Sequence, residues 1–288
     1  MKYFTFLMLL CLPALTMAQS NYKIYNTATQ KIATLDDIIN DMAKADVLFY
    51  GEEHNDSVGH AIELALFTKL VEKYQTKAAL SLEMFETDTQ PILNEYLADL
   101  IREKNLISDA RAWNNYKDYR PLVELAKQKH LPVIAANAPA RYTNRVTRLT
   151  LKSLNQLSAT AKTYLPPLPV DTASGPYYDK FVTIMGGHAN MGGMNIYQSQ
   201  NLWDATMAWS IAKHLKANLG SKIMQVNGGF HSEDKLGAAA QLKKYAPTAR
   251  IINIAAYADE KFNEIDWSKY SKSNNYIIIT DGTLRKSF

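Results

Sequence analysis

The chain has 288 residues, 47% of them hydrophobic and 21% charged, with a single cysteine, which excludes a disordered tail, a collagen-like repeat and a disulfide-stapled mini-protein. Its 32 Lys and Arg against 28 Asp and Glu leave a net charge of +4, too small and too dispersed for a nucleic-acid-binding surface. A chain this long buries enough surface to fold without staples.

The first eighteen residues read as a secretory signal peptide. Lys2 supplies a positive start, Phe4 to Ala14 an apolar core, and Thr16-Met17-Ala18 a small-residue cleavage site. The apolar run is shorter than the ~20 residues of a membrane span. Residues 19–288 are then the expected mature chain, exported to the periplasm or cell envelope. Cys11 lies inside the signal behind the large Leu10, so lipoprotein anchoring is not expected. The mature chain would be cysteine-free, without disulfides or Cys-ligated metal.

Thr34 and Asp37 form a capping box for a helix over about 35–45. A buried strand over 46–50 runs into Gly51, and Asp56 caps a helix reaching about residue 75. A strand over 78–84 precedes a helix over 90–104, with Pro91 in its first turn. A helix over 119–130 leads into a strand over 131–137. Regularity then lapses between 141 and 197: a helix over 149–164, the stop Pro166-Pro167-Leu168-Pro169, and a Gly- and Met-rich run over 185–194. This stretch reads as a helical and loop lid inserted at about 142–197. Beyond it come a helix over 198–218, a strand over 222–227, a helix over 235–245, and strands over 249–257 and 275–280.

Strands separated by helices of this length pair in parallel through right-handed crossovers. The expected fold is α/β: one domain with a central, largely parallel sheet flanked by helices. Ligands in such folds sit at the carboxyl ends of the strands. Here those ends carry Gly51-Glu52-Glu53-His54 with His60 following, Glu83 and Glu86, Asn137 with Arg141, and Gly228-Gly229-Phe230-His231. Gly51 and Gly228 let the backbone turn and bring an imidazole close to a ligand. Glu52 and Glu53 cannot both face inward from an extended segment. Glu83 lies in an apolar strand and needs a partner such as Arg141 or a histidine. Two imidazoles with carboxylates suit an acid–base site built from His54, Glu53, Glu83 and His231. Alternatively, His54, Glu83, Glu86 and His231 suit a divalent metal.

In this order, these elements resemble the ChaN family of the Tiki/TraB/erythromycin-esterase superfamily. The resemblance also rests on Leu82-Glu83-Met84-Phe85, Trp113 and Tyr116, Asn137-Ala138-Pro139-Ala140-Arg141, and the Gln200-to-Asp204 segment with Met207 and Ala208. It spans about residues 45–260. It implies an exported haem-binding protein serving iron uptake, with haem held between two subunits by an axial tyrosine, and therefore a homodimer with an outer-membrane uptake system as partner. The Tiki and esterase relatives imply the alternative, a metal-dependent hydrolase using the paired Gly-x-x-His elements.

The lid segment holds residues suited to haem. Tyr177 and Tyr178 head a short helix, and a tyrosinate can ligate ferric haem. His188 stands among Met185, Met191 and Met194 at intervals of three, a spacing that would also suit soft Cu(I). Arg141, Arg145 and Arg148 fall on one helical stripe able to meet propionates, although such a stripe is also what a solvated helix face looks like. Asp204 is expected to pair toward the cleft. The reading favoured is haem binding rather than enzymatic activity.

Overall fold

A computed structural model describes residues 21–187, 193–270 and 273–288. Eight strands form one mixed sheet: β1 (Tyr22–Asn26), β2 (Lys31–Ala33), β3 (Val47–Glu52), β4 (Ala78–Glu86), β5 (Val133–Asn137), β6 (Lys222–Gly228), β7 (Ile251–Asp259) and β8 (Tyr276–Asp281). Their spatial order is β2-β1-β8-β7-β3-β6-β4-β5. The six strands from β8 to β5 run parallel, and β1 pairs antiparallel with both β2 and β8.

The connecting helices are α1 (Leu35–Asp41), α2 (Ser57–Tyr74), α3 (Gln90–Leu97), α4 (Glu103–Asp109), α5 (Tyr116–Gln128), α6 (Ala140–Leu149), α7 (Ala159–Lys162), α8 (Pro176–Ile184), α9 (Ile196–Ala217) and α10 (Gly237–Tyr245). The expected capping box is formed: Asp37 N–H donates to Thr34 Oγ1 and the Thr34 N–H to the Asp37 carboxylate. Asp56 caps α2 as its position predicts.

The pleat sorts each strand into two cores. Leu48 and Tyr50 of β3 join Ile38 of α1 and Ile62 and Leu66 of α2 on one face. Val47 and Phe49 point the other way, onto Met207 and Ile211 of α9 and Leu242 of α10. With both faces covered, β3 is buried from end to end. Each such fully buried Leu, Ile or Phe contributes about 1.5–3 kcal/mol.

Three expectations change. The helix expected over 90–104 stops at Leu97, because Asp99 adopts a φ of 59° just after α3 and ion-pairs with Lys127, and α4 begins only at Glu103. The single helix expected over 149–164 is broken into a 3-10 helix over Leu151–Gln156 and the short α7. Thr150 takes a φ of 74° and ends α6, and the turn is satisfied by side chains: Gln198 accepts from the Leu151 N–H, and Arg145 donates to the Ser153 carbonyl. The hairpin of β1 and β2 was not anticipated. Much of the segment read as a lid packs on α9 through a satellite core of Tyr142, Val146, Leu154, Leu165 and Leu202.

The chain order places the site. After β3 the chain skips one position to β4, and β6 later fills the gap between them. Glu52 is thereby level with Gly228, and Leu82, next to Glu83, level with Val226. Three strand ends meet at one edge.

Candidate functional site

Two linked polar clusters lie at that edge. The outer one centres on His231, in the turn after β6. Its Nδ1 is 2.7 Å from Asp204 Oδ1 of α9, and its Nε2 is 3.3 Å from Glu83 Oε1 of β4. Burial alone would depress the imidazole, but the Glu83 and Asp204 charges outweigh it and push His231 up to about 10. His231 is therefore held toward its charged form between two carboxyl groups. Burial would raise the Glu83 carboxyl, yet the His231 charge and the Gly228 N–H, donating at 2.7 Å, hold it below its usual range. Asp204 stays above its usual range because burial dominates. The Gln200 amide lies between His231 Nδ1 (3.0 Å) and the Tyr177 hydroxyl (3.1 Å).

The inner cluster begins with Glu52, the last residue of β3. Its Oε1 accepts from the Tyr119 hydroxyl of α5 at 2.6 Å and lies 2.7 Å from His54 Nδ1. Its Oε2 lies 3.4 Å from His60 Nδ1, and His60 Nδ1 is 3.1 Å from Glu63 Oε2. Burial favours the neutral form of Glu52, but hydrogen bonds from His54 and Glu63 and the charges of His60 and His54 together hold it below its usual range. Glu63, fully buried and next to the Glu52 charge, is held well above the carboxylate range. His54 is raised: desolvation lowers it, and the Glu52 carboxylate wins.

His54 joins the two clusters. Its side chain is 39% exposed, and the edge of Trp113 roofs it at 5.2 Å. A Cβ on Gly228 would sit 2.7 Å from His54 Nε2, so the ring packs against the glycine backbone of the neighbouring strand. An imidazole oriented by a buried carboxylate and partly open to solvent is the arrangement of a general base.

Of the residues expected to carry hydrolysis, His54, Glu83 and His231 come together. Glu53 lies apart from them: it accepts from the Ala258 N–H, while Glu52 takes the inward place. Of the expected metal set, Glu86 is ion-paired with Arg111 and accepts from the Ala140 N–H, and the two nitrogens of His231 face two different carboxylates. Among the described residues, the His, Asp and Glu side chains that could converge on one ion are Glu52, His60 and Glu63. Glu63 was not anticipated; its signal was the i, i+3 spacing from His60 on a helix that Asp56 caps.

The expected haem contacts fall in different surroundings. Tyr177 is buried, and its hydroxyl donates to Asp204 Oδ2. Burial and the Asp204 charge keep that phenol far above its ordinary range. Tyr178 is 40% exposed and packs edge-on against Tyr197 at 5.1 Å. Arg141 pairs with Asp88 and stacks on Tyr142 at 4.4 Å, and Arg145 bonds the Ser153 carbonyl and Gln156. His188 lies outside the described residues, as do residues 1–20 and therefore the expected signal peptide. No helix among the described residues is long and apolar enough to cross a membrane.

The model of the family described as haem-binding uptake, Tiki superfamily, ChaN matches residues 38–242. No curated protein matches the chain. Among solved structures, ChaN of Campylobacter jejuni, described as binding haem cofacially, superposes with a TM-score of 0.68 at 18% identity, over 91% of this chain and 97% of that one. The type III effector HopBA1 gives 0.48 at 13% identity, over 86% and 93%. A mutant erythromycin esterase EreC in its open conformation gives 0.48 at 12%, over 82% and 77%. At 18% identity the likeness to the Campylobacter protein is one of fold.

Proposed function

The chain belongs to the ChaN family of haem-binding uptake proteins in the Tiki superfamily, and on that premise we propose that it is an exported carrier holding haem against α8, with Tyr178 as the axial ligand, between two copies of the chain. The observation that carries this reading is the contrast between the two tyrosines. Tyr177 is spent on Asp204, whereas Tyr178 stands at the surface beside Tyr197. Ile184, 63% exposed, and Met194, 43% exposed, lie at the end of α8 and just before α9. Apolar side chains of this kind suit the flat face of a porphyrin and a symmetric interface closing over it.

When bound, haem supplies a ferric iron that a phenolate oxygen can ligate. The residues around it bind and orient it: Tyr178 at the metal, with His188 or the half-exposed Arg141 and Arg145 toward the propionates. The segment over about 142–197 would act as the lid, and an outer-membrane uptake system would be the source or recipient of the haem. The test is a hemin titration of the purified mature chain, followed by absorbance and sedimentation. A saturable Soret band with a tyrosinate charge-transfer feature, lost in Tyr178→Ala, supports the assignment. A Soret band that survives Tyr178→Ala refutes that ligand, and no Soret change refutes haem binding.

A second reading rests on the Glu52–His54 pair facing the cleft above Glu83 and His231. It is a hydrolase in which His54 acts as base, assisted in the metal-dependent form by a divalent ion. It predicts hydrolysis of a peptide or ester substrate that His54→Ala abolishes. An inactive wild-type protein across a broad substrate panel would end it.

A further inference from the structure

We propose that Glu52, His60 and Glu63 form a buried binding site for a divalent cation of the Mn2+ or Zn2+ kind, beneath the His54 cleft and separate from the haem-binding face. The argument starts from the tautomer of His60. Its Nε2 lies 3.1 Å from the His54 carbonyl oxygen, which can only accept, so Nε2 carries a proton. In the neutral ring Nδ1 then presents a lone pair. That lone pair faces Glu63 Oε2 at 3.1 Å and Glu52 Oε2 at 3.4 Å. Three potential ligand atoms from three buried side chains thus converge within 4.8 Å of one another.

The ion pairs of Glu52 and Glu63 among the described residues are with histidines alone. Glu52 Oε1 is already used by His54 and Tyr119, while Glu52 Oε2 and Glu63 Oε1 are buried without a hydrogen-bond partner. Carboxylate oxygens buried without a partner are unfavourable unless a cation or a proton satisfies them.

The spacing fits a cation. An ion with bonds of about 2.1 Å holds neighbouring ligand atoms about 3.0 Å apart in an octahedron and about 3.4 Å apart in a tetrahedron. The observed 3.1 and 3.4 Å fall at those edges. One imidazole with two carboxylates is a mixed nitrogen and oxygen set, suited to Mn2+, Fe2+ or Zn2+ rather than Ca2+ or Cu(I). The ligands are also held in orientation by their neighbours: the His54 carbonyl fixes the His60 ring, and Tyr119 and His54 orient Glu52. Through Glu52, the ion would be linked to His54 by a single carboxylate.

The test is a Mn2+ titration of the chelator-treated, hemin-free chain, followed by electron paramagnetic resonance, with pulsed measurement of nitrogen coupling on the saturated wild-type complex. The expected result is one Mn2+ per chain with coupling to one imidazole nitrogen. Affinity should fall at least tenfold in Glu63→Gln and in His60→Asn and stay at the wild-type level in Glu83→Gln and His231→Gln. The absence of saturable binding overturns the proposal and leaves a shared proton as what satisfies the three acceptors. Coupling to two imidazoles, unchanged affinity in Glu63→Gln, or loss in His231→Gln also overturns it. If Glu63→Gln fails to fold, loss of the imidazole coupling in His60→Asn, with the coupling kept in His231→Gln, carries the same decision.

Discussion

The hydroxyl of Tyr177 donates to Asp204 Oδ2, while Tyr178, one residue on, turns its ring to solvent and rests edge-on against Tyr197 at 5.1 Å. Adjacent positions on a helix are about 100° apart, so one phenol is drawn into the charged cluster and the other is kept out of it. Tyr178→Phe is expected to leave folding unchanged and to weaken hemin binding at least tenfold. Tyr177→Phe should do the reverse, keeping the tyrosinate band while lowering stability by about 1–3 kcal/mol through the lost bond to a buried carboxylate. Urea denaturation and hemin titration of the two variants separate the roles.

The His231 imidazolium makes stability depend on pH with a defined sign. Its folded pKa, about 10, lies above the ordinary 6.5. The stabilisation is therefore complete below about pH 6.5 and is lost as pH rises toward 10. Glu83 is shifted down, so its contribution is present above its ordinary 4.5 and is lost on acidification. The urea midpoint should fall from pH 7 to pH 10 in the wild type and fall less in His231→Gln. A wild-type midpoint flat over that range would show that His231 is not charged.

Gly228 and Gly237 bound the turn that carries His231, and they predict different responses to alanine. A Cβ at Gly228 meets the far edge of the His54 ring, at 2.7 Å from Nε2. That ring can swing away, so Gly228→Ala should fold with a loss of under about 1 kcal/mol. It should nevertheless uncouple His54 from Glu52 and return its titration toward the ordinary histidine value, read by NMR of the imidazole. At Gly237, φ is +50° and a Cβ would lie 2.5 Å from the His231 carbonyl oxygen. The backbone has no such freedom, and Gly237→Ala should lower stability by about 1–3 kcal/mol.

Tyr119 supports the inner cluster from α5. Removing its hydroxyl leaves Glu52 Oε1 with His54 as its remaining partner. Tyr119→Phe should lower stability by about 1–3 kcal/mol and raise the His54 pKa further, because the carboxylate charge is then less dispersed. An NMR titration showing an unchanged or lower His54 pKa would contradict that account.

The sheet was legible because its strands are apolar runs set between helices with recognisable caps, such as Thr34 with Asp37 and Asp56. His54, Glu83 and His231 were legible because each follows or closes such a run. The choice between Glu52 and Glu53 was not. It depends on where the pleat of β3 ends, and the pairing of Glu52 with Gly228 settles that register across 175 intervening positions. The β1–β2 hairpin escaped notice because its partner, β8, lies at the far end of the chain. The breaks at Asp99 and Thr150 were hidden because residues other than glycine adopt the left-handed conformation there, held by neighbours that local patterning does not reveal.

The wedging of β6 between β3 and β4 has a consequence for synthesis on the ribosome. A nascent chain that has emerged only as far as residue 221 exposes β3 and the inner edge of β4 without their shared neighbour, two open templates for mispairing. Asp204 and Gln200 are present by then, but the turn bearing His231 is not, so the polar edge has carboxylates without their counter-charge. Closure at Gly228 is thus the step at which a late-made strand neutralises an early-made one. A cell that exports this chain unfolded would postpone that step until the whole polypeptide is on the far side of the membrane.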